Sequence, residues 1–353
     1  MKNLNWFDKF FFFLNSLFAA ALLFSYLLPY IPPLKFSLLS VLSLGVPLLI
    51  LINIAFLIYW LIRFKKQFLL PFIVLLLGYN HVTSVYEINP LEEGEQPSDD
   101  NLKVLSYNVK HFSQYLSSTE ERENIPRQIT TFIEEQNPDI VSMQEYYNGE
   151  VEVASQFPYK YIKLKTQSAE FGLAILSKYP IINTYSMDFD SKSNNNGVYA
   201  DIVVGKDTLR VINIHLQSFS EKPDLGNIER ESSKRVWLGM GQTFAIQQVQ
   251  VEKVLEVIKN TPYKVVVMGD FNNTAYSYIY RELKSEGFGL NDAYKEAGNG
   301  FGRTFDFDYF PLRIDFILPD ESIEVESFGT MEVFYSDHFP IKATLNLSPE
   351  SSE

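Results

Sequence analysis

The chain has 353 residues, 46% of them hydrophobic and 21% charged, with no cysteine and a formal net charge of −13. This excludes a disulfide scaffold and disfavours disorder, because apolar and aromatic residues are plentiful. Residues 1–100 carry six basic and seven acidic side chains, which leaves 24 and 36 for residues 101–353, a net of −12; dedicated nucleic-acid-binding modules are usually basic, so that class is disfavoured.

The first elements are apolar. Phe10–Leu28 and Phe36–Ile62 hold no charge over 19 and 27 residues. Phe68–Gly78 is apolar over 11 residues and reaches 18 at Val85, with Asn80 and His81 in the extension. A bilayer core needs about 20 helical residues. We therefore expect three helices, 10–28, 36–62 and 68–85, in a helical membrane region over 1–86, with the third either spanning or re-entrant. A cleaved signal peptide fits less well, because Pro29-Tyr30-Ile31-Pro32-Pro33 runs into the second apolar segment without a cleavage pattern. Lys2, Lys9, Arg63, Lys65 and Lys66 place the N-terminus and the 63–67 loop on the cytoplasmic side. Three crossings then put the rest of the chain on the outer side; two return it to the cytoplasm. Tyr59 and Trp60 suit an interfacial aromatic belt. The runs hold no buried carboxylate or basic residue, only Asn15, Asn53 and the peripheral Asn80 and His81 as polar groups, which argues for an anchor rather than a transport path.

Residues 87–101 read as an acidic linker with Pro and Gly. A domain over 102–347 follows, with a tail over 348–353. Leu102–Asn108, Ile140–Gln144, Gly172–Ser177, Val198–Val204, Leu209–His215, Val265–Met268, Ile314–Leu318 and Ile341–Leu347 are β-favouring. Pro126–Gln136 and Phe244–Lys259 have helical periodicity. The mixture implies a layered α/β or α+β sandwich.

Polar residues recur where these strands end: Asn108, Gln144-Glu145, His215, Asp270 with Asn272, Asp315, and Asp337-His338. Strand ends beside loops are where sheet scaffolds place sites. Singly, each is a common turn residue or solvated charge. Together they exceed what turns require, and two of only four histidines (81, 111, 215, 338) stand beside carboxylates. Asp and Glu oxygens with an Asn carbonyl suit Mg2+, and a carboxylate-paired histidine can remain cationic or transfer a proton. The chemistry they fit is attack by water on a phosphate ester.

The ordered segments LSYN (105–108), DIVSMQE (139–145), GLAILSKYPI (172–181), NIHL (213–216), GDFN (269–272), RIDFI (313–317) and SDHFP (336–340) resemble the endonuclease/exonuclease/phosphatase superfamily. The resemblance implies an α/β (α+β) four-layer sandwich, two mixed β-sheets flanked by helices, here preceded by the N-terminal helical membrane region. It implies Mg2+ or Mn2+ on Glu145, with Asn108 and Asp337 close to the metal. Asp270, helped by Asn272, would orient or deprotonate water. His338, paired with Asp315, would contact the phosphate, and His215 would protonate the leaving oxygen. Glu170 is a candidate partner for His215. Residues 218–241 read as an insertion-like loop whose Lys222, Arg230, Lys234 and Arg235 bind substrate phosphate or are simply solvated. Arg303-Thr304 resembles a family loop without an assigned role. The expected partners are the bilayer and a phosphate-ester substrate, either nucleic acid or a lipid head group. The alternative is a catalytically inactive anchored domain of the same fold.

Overall fold

The computed structural model describes residues 4–89, 101–114, 119–149, 155–166, 170–189, 195–219, 230–285, 288–307 and 309–347. Most of the expected linker, all of the tail and Lys222 lie outside them. The chain forms two compact units: Met1–Tyr86 with Ser220–Gln248 and Asn273–Glu282, and Glu87–Phe219 with Val249–Asn272 and Leu283–Glu353.

In the first unit, Trp6–Tyr30 and Pro33–Ile62 are long and apolar enough to cross a membrane, and Lys66–Leu77 is a shorter apolar helix. Their few polar groups tie helices together. Trp60 is fully buried and its Nε1 donates to Asn15 Oδ1 at 3.0 Å, so it is an interhelical contact and not the interfacial belt residue expected. Asn53 Nδ2 donates to the Phe18 carbonyl at 3.2 Å. Such bonds satisfy polar atoms between apolar helices. Later chain segments belong to the same unit: Gln248 Oε1 accepts from the Leu34 N–H at 3.0 Å, and Tyr276 OH donates to the His81 carbonyl at 3.0 Å.

The second unit holds eleven strands in two mixed sheets, counted among the described residues and leaving aside the short pair Tyr86–Glu87 and Gly300–Phe301. They are β1 (Leu102–Asn108), β2 (Ile140–Tyr147), β3 (Tyr159–Leu164), β4 (Phe171–Ser177), β5 (Ile181–Ser186), β6 (Asn196–Val204), β7 (Asp207–His215), β8 (Lys264–Asp270), β9 (Asp315–Pro319), β10 (Glu324–Thr330) and β11 (Ile341–Asn346). One sheet has the order β10-β11-β1-β2-β4-β3 and the other β9-β8-β7-β6-β5. The pairs β1·β2 and β7·β8 are parallel and the rest antiparallel. Val104, Ile140 and Ile175 of one sheet pack against Val198, Val211, Val266 and Met268 of the other. The far face of the first sheet, through Leu105, Val141 and Leu176, meets Ile129, Phe132 and Ile133 of the helix Thr119–Gln136. Both faces of the inner strands are thus covered, which is why they read as unbroken apolar runs.

The helix Arg230–Lys259 begins fourteen residues before the expected start. Residues 230–241 are therefore helical, and Lys234 and Arg235 are exposed on that helix rather than carried by a loop.

Candidate active site

Strand register builds the site. In one sheet His215 of β7 is paired with Asp270 of β8, and Asp270 with Asp315 of β9. Three strands thus end side by side with their chemistry-bearing residues in one row. In the other sheet Asn108 of β1 is paired with Gln144 of β2, and a register shift between Met143 and Tyr146 places Glu145 in a bulge at φ +53°. Bulges re-aim a side chain, and this one turns Glu145 toward the tip of β1. Gly269 sits at φ +141°, where a Cβ would lie 2.0 Å from the Ile214 carbonyl; only glycine fits immediately before Asp270.

Asp270 is almost fully buried. It accepts from Asn108 Nδ2 at 3.0 Å, from the Asn272 N–H at 2.8 Å and from Asn272 Nδ2 at 3.2 Å. Asn272, in the left-handed region at φ +48°, also donates to the Leu216 carbonyl. Burial and the nearby Asp315 push the Asp270 carboxyl up to about 6, against His338, His215 and the Asn272 N–H, which lower it. His338 Nδ1 lies 3.0 Å from Asp315 Oδ2, and its Nε2 is 3.7 Å from Asp270 Oδ2. Burial alone would lower the His338 imidazole, but Asp315 and Asp270 outweigh it and raise it to about 10. His338 is thus a cation at neutral pH. Asp315 is held in turn by Thr304, whose Oγ1 accepts from the N–H groups of Ile314 and Asp315 at 3.0 Å. His215 Nε2 lies 3.6 Å from Asp270 Oδ2 and 3.8 Å from Glu145 Oε1. It is buried and has no hydrogen-bond partner among the described residues.

The other side of the site is more open. Asn108 Nδ2 is 3.4 Å from Glu145 Oε1, and its Oδ1 accepts from the Lys110 N–H at 3.1 Å. Lys110 Nζ lies 3.0 Å from Asp337 Oδ2, and His111 Nδ1 lies 3.0 Å from Glu145 Oε2. Lys110, His111, Phe112 and Ser113 are all left-handed, at φ +46° to +59°. Each such non-glycine residue costs about 1 kcal/mol or more.

Seven of the eight expected site residues, Asn108, Glu145, His215, Asp270, Asn272, Asp315 and His338, therefore converge through direct contacts, and Asp337 joins them through Lys110. Glu170 does not join them: it lies exposed in a turn, and the carboxylates beside His215 belong to Glu145 and Asp270. Sequence reasoning missed Lys110 and His111 as site residues and left Asn213 and Thr304, though both lie in family-like segments, without a role. Asn213 is fully buried; its Oδ1 accepts from Gln144 Nε2 at 2.8 Å, and its Nδ2 donates to the Met143 and Ala174 carbonyls at 2.9 Å. These bonds tie the two sheets together behind the site. The signal for Asn213 was a carboxamide inside an otherwise apolar strand.

Asp270, Asp315 and His338 also present metal-ligand atoms within 4.8 Å of one another.

Residues 105–338 match the sequence profile described as the Endonuclease/Exonuclease/phosphatase family, and residues 8–85 match a domain of unknown function, DUF8431. No curated protein matches the chain in sequence. Solved structures share the fold. An endonuclease/exonuclease/phosphatase from Bacteroides vulgatus is 21% identical, with 70% of this chain and 99% of that one covered and a TM-score of 0.52. TDP2 from D. rerio, complexed with a single-strand DNA product, is 18% identical over 70% of this chain and 100% of its own, at 0.52. The mannosyl-6-phosphatase Bt3783 of Bacteroides thetaiotaomicron is 18% identical over 69% and 99%, at 0.50.

Proposed function

This chain belongs to the endonuclease/exonuclease/phosphatase family, hydrolases acting on phosphate ester bonds, and we propose that it is a membrane-tethered phosphoesterase that uses water and a divalent cation. The observation that carries this reading is the orphaned ring nitrogen of His215, buried between two carboxylates. A buried polar atom without a partner calls for one. The oxygen of a bound phosphate ester supplies it.

The roles follow from the contacts. Asp270, fixed by Asn108 and the Asn272 N–H, accepts a proton from the attacking water; its raised pKa makes it a stronger base that is still ionised at pH 7. His338, kept cationic and oriented by Asp315, faces the charge that develops on the phosphoryl oxygens. The water oxygen bonds to phosphorus, the ester P–O bond breaks, and His215 delivers a proton to the departing oxygen. Glu145, with Asp337 and Asn108 nearby, offers the hard oxygen donors that suit Mg2+ or Mn2+. When bound, the cation adds stabilisation of negative charge on the phosphoryl group.

Both a phosphodiester and a phosphomonoester fit this machinery: of the similar structures, that from D. rerio is complexed with a single-strand DNA product and that from B. thetaiotaomicron is a mannosyl-6-phosphatase. A net of −12 over residues 101–353 weighs against tight duplex binding, which depends on cationic side chains. The apolar helices near the N-terminus weigh toward a lipid head group. We place the site on the outer side of a membrane if the third run, Phe68–Val85, crosses, and on the cytoplasmic side if only two helices do; reporter fusions after residue 100 decide. The test of function is a panel on the full chain in detergent with Mg2+: single-stranded and duplex DNA, RNA, sphingomyelin, phosphatidylinositol phosphates and bis-p-nitrophenyl phosphate. Turnover of at least one, lost with EDTA, is expected. No turnover of any supports the inactive anchored domain instead.

A further inference from the structure

The oxygen donors expected beside Glu145 are already engaged. Asn108 turns its amide nitrogen to Glu145 and Asp270 and gives its Oδ1 to the Lys110 N–H. Asp337 is paired with the Lys110 ammonium at 3.0 Å. The group that faces the free edge of Glu145 is an imidazole, His111, with Nδ1 3.0 Å from Oε2. Its ring stands edge-on to Phe171, with centroids 4.7 Å apart. Four consecutive left-handed residues, 110–113, put it there. Strain of that kind persists where the surrounding structure demands a particular placement, and it clusters at functional sites. The orphaned Nε2 of His215, the atom that the phosphate ester would satisfy, lies 3.8 Å from Glu145 Oε1, so substrate and cation would meet at this carboxylate.

We propose that His111 is a nitrogen ligand of the divalent cation held by Glu145, so that the site selects a first-row transition ion over Mg2+. The inference rests on the cation-dependent reading above and sharpens it. Mg2+ holds oxygen ligands and keeps its water, whereas imidazole binds the transition dications strongly. Histidine needs no change of backbone to serve: its Nδ1 already lies in the first shell of the carboxylate. Lys110, by neutralising Asp337, leaves the Glu145–His111 pair as the open cation site.

The test uses the full chain in detergent, loaded with Mn2+ and read by electron spin-echo modulation and by titration calorimetry. Wild type is expected to show 14N modulation from a directly bound imidazole. His111→Ala and His111→Asn are expected to lose it and to bind Mn2+ at least about tenfold more weakly, with a smaller loss for Mg2+. His215→Ala is expected to keep the modulation. Circular dichroism checks folding, and the two His111 variants guard against one that does not fold. Mn2+ bound without 14N modulation in wild type would overturn the role of His111 while leaving the cation reading intact. Modulation that survives in His111→Ala but vanishes in His338→Ala overturns it too, and moves the ion to the Asp270–Asp315–His338 cluster. Failure to bind Mn2+ or Mg2+ at all sinks both this inference and the cation-dependent mechanism.

Discussion

His338, His215, Asp315 and Asp270 are each 6% exposed or less, whereas the side chains of Glu145, His111 and Asp337 are 20–25% exposed and that of Lys110 is 47% exposed. The buried half stands on three neighbouring strands in register, braced by Thr304 and Asn272. The open half stands on a bulge and a left-handed turn. Charges interact strongly where water is excluded and weakly where it is not. The buried half is therefore suited to holding protons at fixed places, and the open half to exchanging an ion with solvent. The same two carboxylates, Glu145 and Asp270, are joined across this boundary by one amide, that of Asn108.

The largest expected effect comes from the open half. Chelation by EDTA should abolish hydrolysis, and added Mn2+ or Mg2+ should restore it. Activity that persists unchanged in EDTA would leave the exposed carboxylates without a role. Next come the buried residues: Asp270→Asn and His338→Ala should each lower kcat by at least about 10²-fold. Lys110→Ala, on the open side, should cost less than tenfold. Equal losses at Lys110 and His338 would erase the distinction between the halves.

The pH profile sharpens it further. Asp270 acts as a base only when ionised, so the rate should fall as pH drops through about 6. His338 acts as a cation, so the rate should fall as pH rises through about 10. Asp315 raises both groups. Asp315→Asn should therefore shift both limbs of the kcat profile to lower pH. A shift of either limb upward contradicts the buried ion-pair arrangement.

Stability is the next scale. Asn213→Leu removes the amide that bonds Gln144 Nε2 and the carbonyls of Met143 and Ala174. An unsatisfied buried group costs about 1–3 kcal/mol, so a loss of about 2–4 kcal/mol is expected in urea unfolding. A loss below about 1 kcal/mol would mean that water or repacking replaces those bonds.

Most of the buried half was legible in the sequence because His215, Asp270 and His338 sit at or beside the ends of inner strands, whereas Asp315 opens the edge strand β9. GDFN over 269–272 and SDHFP over 336–340 stand out against the apolar runs beside them. The open half was legible only at Asn108, Glu145 and Asp337. His111 follows β1 in a turn whose left-handed run carries no glycine, so nothing local marks its direction. The helix Arg230–Lys259 was cut short because Gly239 and Gly241 weaken its first half, yet tertiary packing keeps it helical: Gly241 lies against Ser37 in the first unit.

Three strands escaped notice altogether, and all three are sheet edges: β3, β5 and β10. An edge strand has one neighbour and one exposed flank, so it needs no continuous apolar run. Ile182 on β5 is 57% exposed, and the strand as a whole is largely solvent-facing. The smallest effect is expected there. Ile182→Thr keeps the β-branched shape and removes little buried surface, so it should change unfolding free energy by no more than about 0.5 kcal/mol and leave kcat unchanged. A loss of several kcal/mol would mean that β5 is covered by a partner, and that the edge which hid it from sequence reasoning is not free in solution.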